Sequence, residues 1–246
     1  MNKISIVKDI IASDNFRDFI DIIDDKIIVK NSSLIIDYID CHKEYKFLIE
    51  EDCEFFEYYE NSNISNIYNV ECFKKFNLNR FSNDCSISTI INLDEESSLI
   101  YNYSTLNKKD NKYVININHN GKNSISSVVN HGINLEDNKL DFIINSNILK
   151  ESYNVLTSQD SKIIIMKNNN CSIKPNLIVD NNDISATHAA YIGRFRDDEI
   201  FYLMSRGINE EESKKIIAKA FLLCYKKIDD ACYNKVIQAL DDNWRS

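Results

Sequence analysis

The stretch DISATHAAYIGRFRDDEIFYLMSRGI, residues 183–208, marks a change in the hydrophobic period of this chain. Before it, short apolar runs are separated by clusters of Asn and Asp, which is typical of strands joined by turns. Beyond it, Ile200, Leu203 and Met204 recur at the spacing of a helix. We therefore expect a β-rich body that gives way to a helical tail within this stretch.

The body contains many short runs rich in β-branched and aromatic residues. They begin at Ile27, Leu34, Tyr45, Glu54, Asn66, Ser86, Ser98, Tyr113, Ile125, Leu140, Lys162 and Asn176. No helix-length amphipathic segment separates the later runs, so a sheet built from βαβ units is excluded. A sandwich, a barrel and a β-solenoid all remain open, because periodicity alone does not choose among them.

Two segments near the start show apolar spacing that is compatible with one or two short helices. They are residues 4–11 and 16–23, with Ser13 or Asp14 as a candidate N-cap between them. We therefore expect a short helical segment at the N-terminal end.

The tail predicts three helices. Asp197 or Asp198 can cap the first, which ends at Met204 and is followed by Gly207 as a stop signal. Asn209 begins the second, with Glu212 as its capping-box partner. The predicted buried stripe of the second helix comprises Ile216, Ile217, Ala220, Phe221, Leu223 and Cys224. A third helix, from about Asp229, is expected to bury Ala231, Cys232, Val236, Ile237 and Leu240.

Composition excludes several classes of protein. An apolar share of 43% and a charged share of 27% are those of a soluble globular chain. The net charge of -9 argues against nucleic acid as a partner, because phosphate binding relies on Lys and Arg. The longest apolar runs, such as residues 163–166, are far too short to span a bilayer. The first residues do not have the pattern of a secretory signal, and the seven cysteines lack regular spacing, so reduced thiols in the cytoplasm are expected.

Glycine and proline are scarce, with four Gly and one Pro in 246 residues. Many tight turns need a positive φ, and Asn accepts that conformation more readily than most other residues. Asn clusters at residues 118–123, 167–170 and 180–183 follow apolar runs, which predicts that they form turns. Codon bias in an AT-rich genome would also raise the Asn content.

The stretch quoted above resembles the C-terminal signature of the SufB/SufD family of iron-sulfur cluster assembly scaffolds. The shared features are a His followed by small residues, an Ile-Gly pair, a short acidic group and the run IFYLMSRGI. The SufD branch is nearer. SufB-type chains tend to carry Glu directly after the His, where this chain has Ala189, and the pair Ile192 and Gly193 resembles the SufD form.

The resemblance extends upstream through residues 114–133, 158–165 and 174–183, in the order of the family core. It implies a right-handed parallel β-helix, or β-solenoid, at residues 26–186. A short N-terminal helical segment at residues 1–25 and a C-terminal helical domain at residues 187–246 would flank this core. A sandwich is our second choice.

His188 is the candidate metal ligand, because a neutral imidazole binds iron well. We expect it in a turn at the edge of a sheet, where it could face a second subunit. In the SufD branch the matching His is implicated at the interface with SufB, where a nascent cluster is held together with a partner Cys. Some SufD chains also carry a Cys two residues earlier, where this chain has Ala186. Several thiolates usually hold a cluster, so we expect shared or transient binding. The alternative is a His that hydrogen-bonds within its own turn.

The family's C-terminal helical domain docks the SufC ATPase, and this implies a partner-binding surface on the tail. Its candidate residues are Tyr202, Arg206, Gly207, Ile208, Lys214 and Lys215. Further basic residues in the same region are Arg194, Arg196, Lys219, Lys226 and Lys227. The alternative for such a run of charge is a solvated face.

The other His and Cys residues are interpreted as structural. His119 and His131 have no nucleophile at a recognisable spacing and are expected to be satisfied turn histidines. Cys224 and Cys232 lie in helical stripes and are expected to be buried, whereas Cys171 could be exposed. No G-x-S-x-G, Walker A or G-x-G-x-x-G motif occurs in the sequence.

These observations predict a SufD-like scaffold subunit that is not an enzyme by itself. It would pair with a SufB-like subunit and a SufC-like ATPase around a transient, shared iron-sulfur cluster, and a flavin has been proposed for complexes of the family. Two alternatives stay open. One is a homodimeric scaffold that replaces both SufB and SufD, and the other is a β-helix carbohydrate-active enzyme, which would need a groove with paired carboxylates.

Overall fold

The computed structural model describes residues 2–30, 33–167, 170–180, 182–223 and 230–244. The strands are β1 Asn2–Val7, β2 Ile10–Ile11, β3 Ile20–Ile23, β4 Lys26–Val29, β5 Ser33–Ile39, β6 Glu44–Ile49, β7 Cys53–Glu60, β8 Asn63–Val70, β9 Lys75–Asn83, β10 Ser86–Leu93, β11 Ser98–Asn107, β12 Asn111–His119, β13 Ile125–Asn134, β14 Leu140–Ile148, β15 Val155–Ile165, β16 Ser172–Val179 and β17 Ile184–Gly193. The helices are α1 Asp197–Met204, α2 Glu210–Leu222 and α3 Asp230–Asn243, and Phe16–Asp18 form a 3-10 turn.

Successive strands alternate between two sheets. Sheet A has the order β17-β15-β13-β11-β9-β7-β5-β1-β2, and sheet B has the order β16-β14-β12-β10-β8-β6-β4-β3. Apart from the antiparallel pairs β1 with β2 and β3 with β4, the strand pairings are parallel, so each coil of the chain adds one strand to each sheet. The predicted parallel β-solenoid is confirmed, and the second choice, a sandwich, is wrong.

Inward-facing side chains stack in columns that run through the coils, because parallel register brings equivalent positions together. One column, here called the His188 column, consists of Leu34, Phe55, Leu78, Tyr101, Val128, Gln159 and His188. Every member except His188 is buried. The hydrophobic core is therefore continuous along the solenoid axis, and His188 stands at its end.

Many Asn residues form a ladder on the outer face of sheet B. The Nδ2 atoms of Asn92, Asn118 and Asn147 each donate to the Oδ1 atom of the Asn on the preceding coil, at 2.7 to 2.8 Å. Asn69 is the first member of this ladder. Turns use Asn too, since Asn123 has a positive φ, but several Asp residues share that role. Residues 168, 169 and 181 of the predicted Asn turns lie outside the described ranges.

The predicted N-terminal helices are wrong. Residues 4–11 form β1 and β2, and residues 16–23 form the 3-10 turn and β3. Ile4 and Ile6 are buried in alternation along β1, which pairs in parallel with β5. Long-range pairing thus decides the structure of segments whose short apolar pattern suits either element. Ser13 does not cap a helix, and its Oγ accepts a hydrogen bond from Ser5 N at 2.8 Å.

The three predicted tail helices are confirmed, and α2 and α3 cover part of the outer face of sheet A. A second hydrophobic cluster joins them to the solenoid and contains Phe81, Leu106, Ile133, Leu135, Ile164, Phe195, Ala218, Leu222, Val236, Ala239 and Leu240. The predicted stripes are partly wrong: Ala220 and Ala231 are exposed, because α2 and α3 turn other residues toward the sheet. Cys224, Lys226, Lys227 and Asp229 lie outside the described residues.

The caps of the helices follow the sequence in part. Asn209 Oδ1 accepts from Glu212 N at 2.8 Å, as the capping-box pattern predicts. The N-cap of α1 is Arg196, whose side chain makes no capping hydrogen bond, so the prediction of Asp197 or Asp198 is wrong by one or two positions. Gly207 has a φ of +86° after α1, which suits its predicted role as a stop. Within the described residues, no helix has the length and hydropathy to cross a membrane.

Candidate functional site

His188 lies in the middle of β17, the last strand of sheet A, and not in a turn as expected. It pairs in register with Gln159 of β15 and therefore occupies an inward-facing position. Its side chain is exposed because β17 is the edge of the sheet within the described residues. The imidazole thus lies where the solenoid interior opens to solvent.

The two ends of the solenoid differ. At the first end, antiparallel pairing of β1 with β2 and of β3 with β4 terminates both sheets. At the other end, here called the open end, β16 and β17 present bare parallel edges in the described part of the chain. Ile178 and Tyr191 in these strands are 54% and 46% exposed. An edge with unpaired backbone groups and apolar side chains favours association with another chain.

A buried polar network lies one coil below His188. Gln159 Nε2 donates to Ser146 Oγ at 2.8 Å, and Ser146 Oγ lies 3.3 Å from Thr157 Oγ1. Thr157 Oγ1 is 2.8 Å from Ser126 Oγ, which in turn is 3.0 Å from His119 Nε2. Sequence reasoning missed this network. Inward-facing Ser, Thr and Gln at matching positions of successive coils were the available signal.

His119 and His131 are satisfied by hydrogen bonds, as predicted, although both lie in strands. His119 Nδ1 is 2.7 Å from Ser124 Oγ, and burial lowers the pKa of His119 to about 4. His131 Nδ1 donates to the carbonyl oxygen of Phe221 at 2.7 Å, and the two rings stack with centroids 4.2 Å apart. Burial also lowers the pKa of His131. This contact ties the C-terminal end of α2 to the solenoid.

The cysteines that the structure describes do not assemble a metal site. Within the described residues, no group of three or more His, Cys, Asp or Glu side chains could hold a metal ion. Burial raises the pKa of Cys53 and of Cys85 to about 12, which keeps both thiols protonated. Cys232 is buried, as predicted. Cys171 is half-buried, and its sulfur accepts from Asn134 Nδ2 at 3.3 Å.

Helix α1 carries an exposed aromatic surface. Phe201 and Tyr202 are 73% and 58% exposed, and Met204 is also exposed. The Arg206 guanidinium lies over the Tyr202 ring, 5.3 Å from its centroid. Neither α1 nor the turn after it contains a buried residue, and Ile208 is half-buried. Exposed aromatic side chains next to Arg are typical of protein interfaces.

The two candidate lysines of α2 are engaged within the molecule. Lys214 pairs with Glu210 one turn earlier, and Lys215 Nζ lies 2.7 Å from Asp241 Oδ1 on α3. Partly exposed ion pairs of this kind contribute little to stability. The structure therefore separates the predicted partner-binding residues into an aromatic surface on α1 and a paired basic surface on α2.

The sequence of this chain matches a family model and several known proteins. The family model described as "SUF system FeS cluster assembly, SufBD core domain" matches residues 83–221, more than half of the chain. SufD of Bacillus subtilis (strain 168) is 30% identical over 105 residues, which cover 42% of this chain and 24% of that protein. SufB of the same organism is 30% identical over 111 residues, 44% of this chain and 24% of that protein.

A shorter and more similar segment matches SufD of Escherichia coli (strain K12). The identity is 44% over 48 residues, which cover 20% of this chain and 11% of that protein. The chain therefore spans about a quarter or less of the length of these curated relatives in its matched regions. The names SufD and SufB both occur among the relatives, as the sequence resemblance predicts.

Proposed function

This chain belongs to the SufBD core family of the SUF iron-sulfur cluster assembly system, and from that membership we propose that it acts as a SufD-like scaffold subunit. In this proposal it pairs with a SufB-like subunit through the open end and with a SufC-like ATPase through the tail. It works in the cytoplasm and is not an enzyme by itself. The iron-sulfur cluster is the cargo of the assembly.

The single observation that carries the proposal is the location of His188. An imidazole at an inward position of an unpaired edge strand would face any chain that continues the solenoid. Imidazole is a suitable ligand for iron, but a cluster is usually held by several thiolates. We therefore infer that the partner supplies the remaining ligands and that the cluster is shared across the seam.

The aromatic surface of α1 supports the second contact. Phe201 and Tyr202 expose apolar area that no described part of this chain covers, and Arg206 lies against Tyr202. The contact between His131 and Phe221 anchors α2 to β13, which belongs to the same sheet as His188. A displacement of the tail would therefore be transmitted to that sheet. ATP-driven movement of the ATPase partner would thus alter the interface with the SufB-like subunit at the open end.

The test is anaerobic reconstitution with iron and sulfide, using the full chain alone and with a SufB-like partner. We expect His188→Ala to lower the cluster yield of the complex several-fold, since it removes one ligand. His42→Ala is the matched control, because His42 is exposed in a loop on another coil. An unchanged yield for His188→Ala, with the complex intact, would contradict the proposal.

The matches to both SufD and SufB favour a second candidate function, a homodimeric scaffold. In that arrangement the open end would pair with the open end of another copy, and two His188 side chains would meet. Light scattering on the purified chain distinguishes the two. A stable dimer that assembles a cluster without a second type of subunit supports the homodimer.

A further inference from the structure

Gln159 has an unsatisfied buried acceptor. Its side chain is 2% exposed, and its Nε2 donates to Ser146 Oγ at 2.8 Å. Its Oε1 is buried and has no hydrogen-bond partner within the described part of the chain. Most buried side-chain oxygens are paired, so an orphaned one calls for a specific explanation.

Several pairs of polar residues that share an inward column on adjacent coils of sheet A bond to each other. Asn130 Nδ2 donates to its register partner Ser161 Oγ at 3.0 Å. Ser126 Oγ and its register partner Thr157 Oγ1 lie 2.8 Å apart. Parallel strands are about 4.8 Å apart, a spacing that stacked polar side chains bridge. Hydrogen bonds between register partners thus recur in the interior next to Gln159.

Gln159 and His188 are also register partners in an inward column. Gln159 is held by Ser146, which directs the amide nitrogen across the interior and leaves Oε1 as the free end. His188 is exposed, so rotation of its ring toward Gln159 displaces only solvent. The neutral imidazole carries one N–H donor, and a donor is the hydrogen-bond partner that Gln159 Oε1 needs.

We propose that Gln159 is the positioning residue for His188. Its Oε1 accepts a hydrogen bond from one ring nitrogen of His188 and thereby selects one neutral tautomer. The other ring nitrogen then directs its lone pair out of the open end. The contact between Gln159 and His188 does not depend on the proposed function. Only the identity of the atom that the lone pair would bind, an iron atom of the shared cluster, rests on it. Ligating His residues generally need such a partner to fix the ring and the tautomer.

The direct test reads the tautomer of His188 in the full chain without any cluster. Nitrogen-15 NMR of the imidazole at a pH where it is neutral should show one predominant tautomer in the wild type. Gln159→Leu removes the acceptor and should yield a mixture of tautomers. Identical tautomer populations in the wild type and Gln159→Leu would overturn the proposal.

Asn130→Leu is the matched control. Asn130 is also buried on an inward position with an unsatisfied Oδ1, but it belongs to the neighbouring column. It should leave the His188 tautomer unchanged. If Asn130→Leu alters the tautomer as much as Gln159→Leu does, the effect is a general loosening of the interior and the positioning role is wrong. Circular dichroism checks that each variant retains its strands.

A second measurement separates this inference from the proposed function. In the reconstituted complex, Gln159→Leu should weaken iron retention against a chelator by about 10- to 100-fold. If His188→Ala does not affect the cluster while Gln159→Leu shifts the tautomer, the ligand role fails and the positioning contact stands. If His188→Ala abolishes the cluster while Gln159→Leu leaves the tautomer unchanged, the positioning role fails alone.

Discussion

Glu57 and Arg80 are register partners on adjacent coils and form an ion pair, with Arg80 Nε 2.6 Å from Glu57 Oε2. Both side chains are completely buried. Tyr68 OH donates to Glu57 Oε1 at 2.6 Å, and Tyr101 OH accepts from Arg80 Nη1 at 3.3 Å. Burial by itself lowers the pKa of Arg80, but the Glu57 carboxylate and the nearby tyrosines raise it above its usual value. A buried charge pair of this kind depends on every remaining hydrogen bond being filled.

Replacing one member of this pair should be costly. Arg80→Met leaves the Glu57 carboxylate buried without its counter-charge, and we expect a loss of about 3–5 kcal/mol in the free energy of unfolding. Urea denaturation measures it. Glu57→Leu should have a similar cost, because it leaves the buried Arg80 guanidinium without its counter-charge.

The double variant provides the control for that prediction. Glu57→Leu with Arg80→Met removes both charges, so its cost should be well below the sum of the two single costs. Strictly additive costs would show that the two side chains contribute independently, and the ion pair would then have no coupling.

The stability of the fold should fall as the pH drops from about 6.5 to about 4. His119 has a folded-state pKa of about 4, below its unfolded value of 6.5. The unfolded chain therefore binds more protons in this window, and the free energy of unfolding rises with pH. His119 contributes roughly 3 kcal/mol to the free energy of unfolding. This contribution is fully present above about pH 6.5 and is lost as the pH falls to about 4.

His119→Gln tests this origin. The variant should show a shallower dependence of unfolding free energy on pH between these limits than the wild type does. His42→Gln, at an exposed position, should keep the wild-type slope. Equal slopes in the wild type and His119→Gln would assign the acid sensitivity to other groups.

Sequence alone predicted the parts of this fold that depend on local chemistry. The Asn209 and Glu212 capping pattern, the stop at Gly207 and the change of period near residue 197 are all read from neighbouring residues. Composition and periodicity did not choose among three β architectures, because the parallel pairings that define a solenoid join residues 20 to 32 positions apart. The family resemblance was needed to choose among them.

The same long-range contacts explain what sequence analysis missed. The Asn cluster at residues 118–123 was assigned to a turn, whereas its first residue, Asn118, lies in β12 and donates to Asn92 on the preceding coil. Glu57 and Arg80 are 23 positions apart, and only the register of β7 and β9 shows that they are partners. His188 was expected in a turn, and its inward position becomes visible only from its pairing with Gln159. The members of a column come from different coils, so the sequence of a single coil does not show which residues will stack.

The contribution of the N-cap of α2 to stability should be measurable locally, at the first turn of that helix. Asn209→Ala removes the acceptor for Glu212 N, and we expect a cost of about 1 kcal/mol. Asn209→Asp retains an acceptor at the same position and should restore stability. Hydrogen exchange of the first-turn amides of α2 measures the effect locally. Equal exchange in the alanine and aspartate variants would mean that the cap does not hold this helix end.

The exposed aromatic surface of α1 should be the main contact for the ATPase partner. Phe201→Gln and Tyr202→Gln change side chains that are 73% and 58% exposed, so the fold should lose less than about 1 kcal/mol. Aromatic side chains at the centre of an interface often contribute 2 kcal/mol or more to binding. We therefore expect each variant to weaken binding of the SufC-like ATPase by at least about tenfold, measured by calorimetry with purified partners.

Phe73→Gln is the matched control for the α1 variants, because Phe73 is 63% exposed but lies in a turn of the solenoid before β9. It removes a similar apolar area from a different surface and should leave ATPase binding unchanged. Lys214→Ala should also have a small effect, since Lys214 is already paired with Glu210. If Phe73→Gln weakens binding as strongly as Phe201→Gln, the partner recognises the solenoid and not the tail. If Lys214→Ala is the more damaging change, the contact lies on α2, and the surface of α1 must serve another purpose.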